Sequence, residues 1–196
     1  MNVKTKWNSL PLAAKVSISY TICSIVQRCI SFITLPVFTR LLTTEQYGQA
    51  TVYSSWMSLL VLFITLYLPY GSFSTAMIKY EDRRDEYISS SEGICLLLSA
   101  AFLVIYLPFC GLWNRLFQLP TFIMVLMVFD IISATALAFW SGKKRFEYRY
   151  KEVIAVTIAM ALFTPALQFL IAFNVKEKGY GIIAGGSIIS VLFGSI

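Results

Sequence analysis

Short charged clusters cut this chain into long apolar runs, and that alternation leaves few folds open. The runs cover residues 16–38, 47–68, 88–112, 120–140 and 153–173, and a sixth starts at Tyr180. A run of about 20 apolar residues, wound as a helix, crosses the hydrocarbon core of a bilayer. Of the 196 residues, 58% are hydrophobic and 13% charged, about half the charged share of an ordinary soluble domain. Mean hydropathy is +0.72. The pattern predicts an all-α, polytopic transmembrane helical bundle of about six spans.

Span 1 carries the most informative residues. Ser17, Thr21, Ser24, Arg28 and Ser31 recur at spacings of 4, 3, 4 and 3, which lays them down one helical face. Gln27 and Thr34 lie beside that stripe. Arg28 falls near mid-depth, where a charge facing lipid costs several kcal/mol or more. It therefore faces a protein interior or a wet cavity. Two readings stand: a structural one, in which Arg28 satisfies a carbonyl or a buried acid, and a place on a substrate path. Asp130, near the centre of span 4, is the second intramembrane ionisable residue. Spans 1 and 4 of a six-helix bundle would bring Arg28 and Asp130 together as a pair. In the functional version Arg28 offers a fork of donors to phosphate or carboxylate oxygens, and Asp130 tunes it or takes a proton or cation. Further polar stripes, Thr51, Ser55, Ser58 and Thr65 on span 2 and Thr157, Thr164 and Gln168 on span 5, suggest a wet inner face. Ser and Thr are also ordinary packing glue between membrane helices.

The connections have their own signals. Pro36 is expected to bend or end span 1, with residues 39–46 as a loop. Pro69-Tyr70-Gly71 interrupts span 2, which reads equally as one kinked helix or two. Lys79 to Glu86 is the most charged window and reads as a solvated loop. Trp113-Asn114-Arg115 is expected to end span 3, and residues 143–151 form a second basic loop. Trp7, Trp56, Trp113 and Trp140 read as interfacial anchors. Lys and Arg split 11 against 4 between the two sides, with Arg28 left in the membrane. The positive-inside rule places the N-terminus in the cytoplasm. No small-residue cleavage pattern follows span 1, so it is retained. The sixth run stops at Ile196 without a polar tail, so residues 1–196 read as a six-helix N-terminal lobe with its last span truncated and the remainder missing.

Histidine is absent, which removes His general bases, His-dependent triads and His metal sites. Cys23, Cys29, Cys95 and Cys110 lack a CxxC spacing and read as small buried hydrophobes. No phosphate-binding GxxxxGK[ST] loop appears. No cofactor, metal or nucleic-acid partner is expected, and a net charge of +6 is explained by membrane-flanking loops.

Leu35-Pro36-Val37-Phe38-Thr39-Arg40-Leu41-Leu42 followed by Glu45-Gln46-Tyr47-Gly48 resembles the polysaccharide-export flippases of the multidrug/oligosaccharidyl-lipid/polysaccharide exporter superfamily. Gly71 to Lys79-Tyr80 and the aromatic-basic loop 145–151 add to the resemblance, which covers essentially the whole chain. It implies two six-helix lobes around a central cavity and no enzymatic activity. The implied function is flipping of undecaprenyl-pyrophosphate-linked oligosaccharide, an O-antigen or capsule repeat unit, across a bacterial inner membrane. Implied partners are that lipid-linked oligosaccharide, membrane lipids and other polysaccharide-assembly proteins. The implied substrate-binding residues are Arg28 with Gln27, Ser24 and Ser31, and Arg40, which alternatively shapes the loop or gate. Asp130 is the coupling residue or charge partner. The competing readings are a cation-coupled multidrug exporter of the same superfamily, a membrane-embedded polysaccharide polymerase or acyltransferase, and a scaffold.

Overall fold

The computed structural model describes residues 11–175 and 177–195. Lys4, Lys6, Trp7, Lys176 and Ile196, used above for topology and for the truncated span, lie outside that set. Among the described residues there are helices and no strands. In chain order they are α1 (Leu12–Leu41), α2 (Thr44–Thr65), α3 (Phe73–Lys79), α4 (Arg84–Tyr106), α5 (Cys110–Phe117), α6 (Thr121–Phe146), α7 (Tyr150–Asn174) and α8 (Lys178–Gly194). Single 3-10 turns at Glu81–Arg83 and Leu107–Phe109 precede α4 and α5.

α1 continues unbroken through Pro36 to Leu41, so the proline neither ends the helix nor opens a long loop. Proline deletes one helical hydrogen bond, and the ladder resumes beyond it, as membrane helices tolerate. The connection to α2 is only Leu42 and Thr43. Thr43 caps α2: its hydroxyl accepts from the Gln46 N–H at 3.3 Å, and Gln46 Oε1 accepts from the Thr43 N–H at 3.2 Å. Such a reciprocal box satisfies two orphan donors, which accounts for Gln46 in the Glu45-Gln46-Tyr47-Gly48 motif.

Span 2 is two helices. α2 stops where Leu66 and Tyr67 adopt left-handed backbone, φ 48° and 54°, and the turn through Pro69 leads into the short α3. Span 3 also differs from expectation. Trp113-Asn114-Arg115 lies inside α5, and the break falls earlier, at the 3-10 turn containing Pro108. The Tyr106 hydroxyl donates to Asn114 Oδ1 at 2.6 Å, and Asn114 Nδ2 donates to Thr121 Oγ1 at 2.8 Å. These two bonds tie α4, α5 and α6 together at the corner.

Among the described residues, four segments are long and apolar enough to cross a membrane: α1, the run Glu81–Phe117, α6 and α7. α2 fails that test because Glu45, Gln46, Gln49 and its serines dilute its 22 residues, and α8 has 17 residues. α6 is the axis of the bundle, packed on α2, α3, α4, α7 and α8. Its Ile123, Met124, Met127, Val128, Ile131 and Phe139 are essentially inaccessible. The main core joins Ile123, Met124, Met127 and Ile131 to Tyr53, Leu60 and Ile64 of α2, Tyr106 of α4 and Ile183 of α8, while Phe139 packs with Phe73, Met77 and Cys95 in a second cluster. α8 reaches its neighbours through small residues. A Cβ at Gly185 would lie 2.9 Å from Gln168 Cα of α7, and one at Gly194 would lie 2.6 Å from Ser133 of α6. Close backbone approach of this kind is how membrane helices gain packing energy.

α1 and α7 are the least buried spans, with 6% and 0% of their apolar windows inside the fold, against 44% for α6. Phe32, Ile33, Leu170 and Phe173 stand outward on them, as lipid-facing side chains do. Cys29 is exposed on α1, whereas Cys23 and Cys95 are buried as expected. Trp56 departs from an anchor role: it is half-buried, edge-on to Phe117 at 4.4 Å.

One end of the bundle gathers the basic loops. Lys143 at the end of α6 pairs with Asp85 at the start of α4, and Lys144 and Arg149 share Glu152. Arg84 lies over the Phe146 ring at 4.7 Å, and Arg145 over Tyr20 at 5.1 Å. The loops after spans 2 and 4 and the start of α1 therefore share a side, as the charge count requires.

Candidate functional site

The stripe on α1 is exposed from Ser17 through Thr21, Ser24 and Arg28 to Ser31. The helix itself keeps the hydroxyls presentable in an apolar medium. Thr21 donates to the Ser17 carbonyl at 2.9 Å, Ser31 to that of Gln27 at 3.0 Å, and Thr34 to that of Ile30 at 2.7 Å. Each donor is spent inside the helix, while each hydroxyl oxygen keeps acceptor capacity. α2 repeats the device: Thr51, Ser54, Ser55 and Ser58 are exposed and donate to carbonyls four residues back at 2.8–3.0 Å. Two consecutive helices thus present hydroxyl-lined faces that nothing in the described chain covers.

Arg28 stands in the middle of the α1 stripe, exposed, and takes part in no ion pair among the described residues. Twelve residues further on, Arg40 is exposed in the last turn of α1, about 18 Å along the axis. There its charge complements the helix C-terminus. Arg28 and Arg40 therefore do not form one cluster.

Gln27 and Ser31 do meet partners across a gap. With Thr34 of α1 and Thr164, Pro165 and Gln168 of α7 they line a groove of about 420 Å³. Phe38, which also lines it, stacks on Phe169 of α7 with ring centroids 4.6 Å apart. Ser24 and Arg28 continue the α1 stripe without lining the groove.

The expected Arg28–Asp130 pair is not made. Asp130 is buried, and its Oδ2 accepts hydrogen bonds from the Tyr53 hydroxyl at 2.9 Å and from Ser187 Oγ at 3.1 Å. Tyr53 and Ser187 also meet at 3.3 Å. The reason is topological: α1 packs chiefly on α7, while Asp130 faces the junction of α2, α6 and α8. Sequence reasoning missed Tyr53 and Ser187. A mid-span tyrosine reads as apolar, and Ser187 sits in a Gly185-Gly186 run that reads as packing. The spacing of Asp130 offered no clue to either.

No group of three or more Cys, Asp or Glu side chains among the described residues is placed to hold a metal ion.

Two hydroxyl-lined helix faces, a mid-span arginine with no ion pair among the described residues and a tightly packed axis behind them define a multi-pass membrane protein with a polar surface where lipid contact is expected. The chain belongs to the polysaccharide biosynthesis protein family, whose model matches residues 13–196. Neither curated proteins nor solved structures gave a match.

Proposed function

We propose that this chain forms one wall of a flippase that carries lipid-linked oligosaccharide, a repeat unit borne on undecaprenyl pyrophosphate, across the bacterial inner membrane. The observation that carries the reading is Arg28, an exposed cation at mid-span on a hydroxyl-lined face with no ion pair among the described residues. An arginine facing hydrocarbon is too costly to keep without use, and its planar fork suits the oxygens of a pyrophosphate.

The physical task matches these parts. A charged, hydrated headgroup meets a large desolvation cost in about 30 Å of hydrocarbon. The hydroxyl oxygens of α1 and α2 replace part of its water, Arg28 balances its charge, and the lipid tail stays in the bilayer. The tightly packed α6 and α8 serve as the rigid backing against which that face moves. The N-terminus lies on the cytoplasmic side in this reading, with the basic loops facing the leaflet where the substrate is made. A second wall, supplied by further sequence or another subunit, closes the path. Asp130 is spent on Tyr53 and Ser187 inside the packing, which disfavours a drug-exporter reading built on an accessible acid. The chain acts here as a transporter and not as an enzyme.

The test is deletion of the gene encoding this chain, with lipid-linked repeat units assayed in each leaflet and surface glycan quantified. Stranding of complete units in the cytoplasmic leaflet, rescued by the natural gene and not by Arg28→Ala, is the expected result. Single repeats still reaching the surface without polymer formation would reassign the protein to polymerisation. Untouched glycan with altered drug sensitivity would reassign it to drug export.

A further inference from the structure

The groove between α1 and α7 differs chemically from the surface around Arg28. Its polar lining is uncharged: the amides of Gln27 and Gln168 and the hydroxyls of Ser31, Thr34 and Thr164. Neither amide has a side-chain hydrogen-bond partner among the described residues. Gln27 therefore brings two N–H donors and a carbonyl acceptor to the groove with no internal use for them, while the Gln168 amide reaches the groove and also lies against α8, its Nε2 3.0 Å from where a Cβ at Gly186 would sit. Ser31 and Thr34, by contrast, spend their donors on their own helix and offer only acceptor oxygens.

A backbone acceptor joins them. Pro165 has no N–H to give the carbonyl of Ala161, and both residues line the groove. Unpartnered amides at this depth cost several kcal/mol in hydrocarbon, so the groove holds either water or a solute rich in hydrogen-bonding groups. Its volume of about 420 Å³ falls in the range of small-ligand sites. Phe38 and Met160 add apolar patches beside the polar ones.

From this combination we infer that the α1–α7 groove is a subsite for the neutral sugar rings of the lipid-linked substrate. A sugar ring presents vicinal hydroxyls that both donate and accept, next to apolar C–H faces. Planar amides match the first and aromatic or thioether surfaces match the second. The absence of any charged residue from the lining argues against a phosphate as occupant. The inference rests on the flippase reading and divides its labour: Arg28 engages the pyrophosphate, and the groove engages the glycan. Substrate preference between glycans is then set by Gln27, Thr164 and Gln168, not by Arg28.

The experiment uses the full-length protein in proteoliposomes. Two substrates are compared, undecaprenyl pyrophosphate bearing the repeat-unit oligosaccharide and the same lipid pyrophosphate with no sugar. Gln27→Leu and Gln168→Leu are each expected to slow movement of the oligosaccharide-bearing lipid about tenfold and to leave the sugar-free lipid within about twofold. Arg28→Ala is expected to slow both. Gln168 lies against Gly185, so its substitution also touches α7–α8 packing; Gln27 lies outside that contact and serves as the independent variant. Equal loss on both lipids with Gln27→Leu, or no loss on either, overturns the sugar subsite and leaves the flippase reading intact. A wild-type protein that moves neither lipid overturns the flippase reading itself, and the subsite with it.

Discussion

Removing a single oxygen tests the role assigned to Asp130. Tyr53→Phe deletes the hydroxyl that donates to Asp130 Oδ2 at 2.9 Å and also meets Ser187 at 3.3 Å. The ring stays, so the packing around it is kept. A hydrogen bond to a carboxyl group contributes about 1.5–3 kcal/mol in a protein interior. Helix-to-helix hydrogen bonds measured within membranes average only about 0.6 kcal/mol. Ser187 still donates to the same oxygen at 3.1 Å after the change, so Asp130 keeps one partner. The lower half of the combined range applies, and a loss of about 1–2 kcal/mol is expected. Adding Ser187→Ala strips the acid of its second donor, and the double variant should lose more than the two single losses added together. The assay is reversible unfolding of purified protein in mixed micelles, with transport followed in parallel. Stability unchanged by Tyr53→Phe and by the double variant would refute the idea that this cluster pins α2, α6 and α8. So would an Asp130→Asn protein that is fully stable yet unable to transport, since it would give the acid a working role in the cycle.

Three further outcomes follow from the same geometry. Arg28→Lys keeps the charge and loses the planar fork, so transport of the pyrophosphate-bearing substrate should fall between wild type and Arg28→Ala; wild-type rates would show that charge alone suffices. Gly185→Val places a Cβ 2.9 Å from Gln168 Cα and should cost about 1–3 kcal/mol by overpacking, read as a lower melting temperature, whereas Gly48→Ala, with open space around it, should be tolerated. In a variant lacking the four native cysteines, Lys79→Cys and Lys143→Cys should react with an impermeant thiol reagent from one side of the membrane and Arg115→Cys from the other. Labelling of all three from one side would overturn the topology.

Length and hydropathy made the spans legible because a bilayer imposes its thickness on any helix that crosses it. The α1 stripe was legible for the same kind of reason: spacings of 3 and 4 allow only one helical face. Helix ends were harder. The turn after α2 places positive φ on Leu66 and Tyr67 and on no glycine, so Gly71, the residue that advertises such geometry, pointed a few residues too late. Pro36 and Pro108 look alike in sequence, yet the helix runs on through the first and breaks at the second. The Asp130 cluster was not legible because its partners are 77 and 57 residues away, and only the packing of α2 and α8 against α6 decides which side chains meet. For the groove, the polar residues of α1 and α7 were visible separately; that the two helices stand side by side was not.

The connection between α1 and α2 has a kinematic consequence. From Leu41 to Thr44 the chain makes three Cα steps, which together reach no further than about 11 Å, and the Thr43–Gln46 box fixes how α2 starts. The two hydroxyl-lined faces are therefore tied at one end of the bundle, so any parting between them is angular and widest at the opposite end. The far end of α1 is where Tyr20 meets Arg145, about 30 Å from the tie. The ring-and-guanidinium contact there works at the long end of a lever, where a rotation of a few degrees is already a displacement of ångströms.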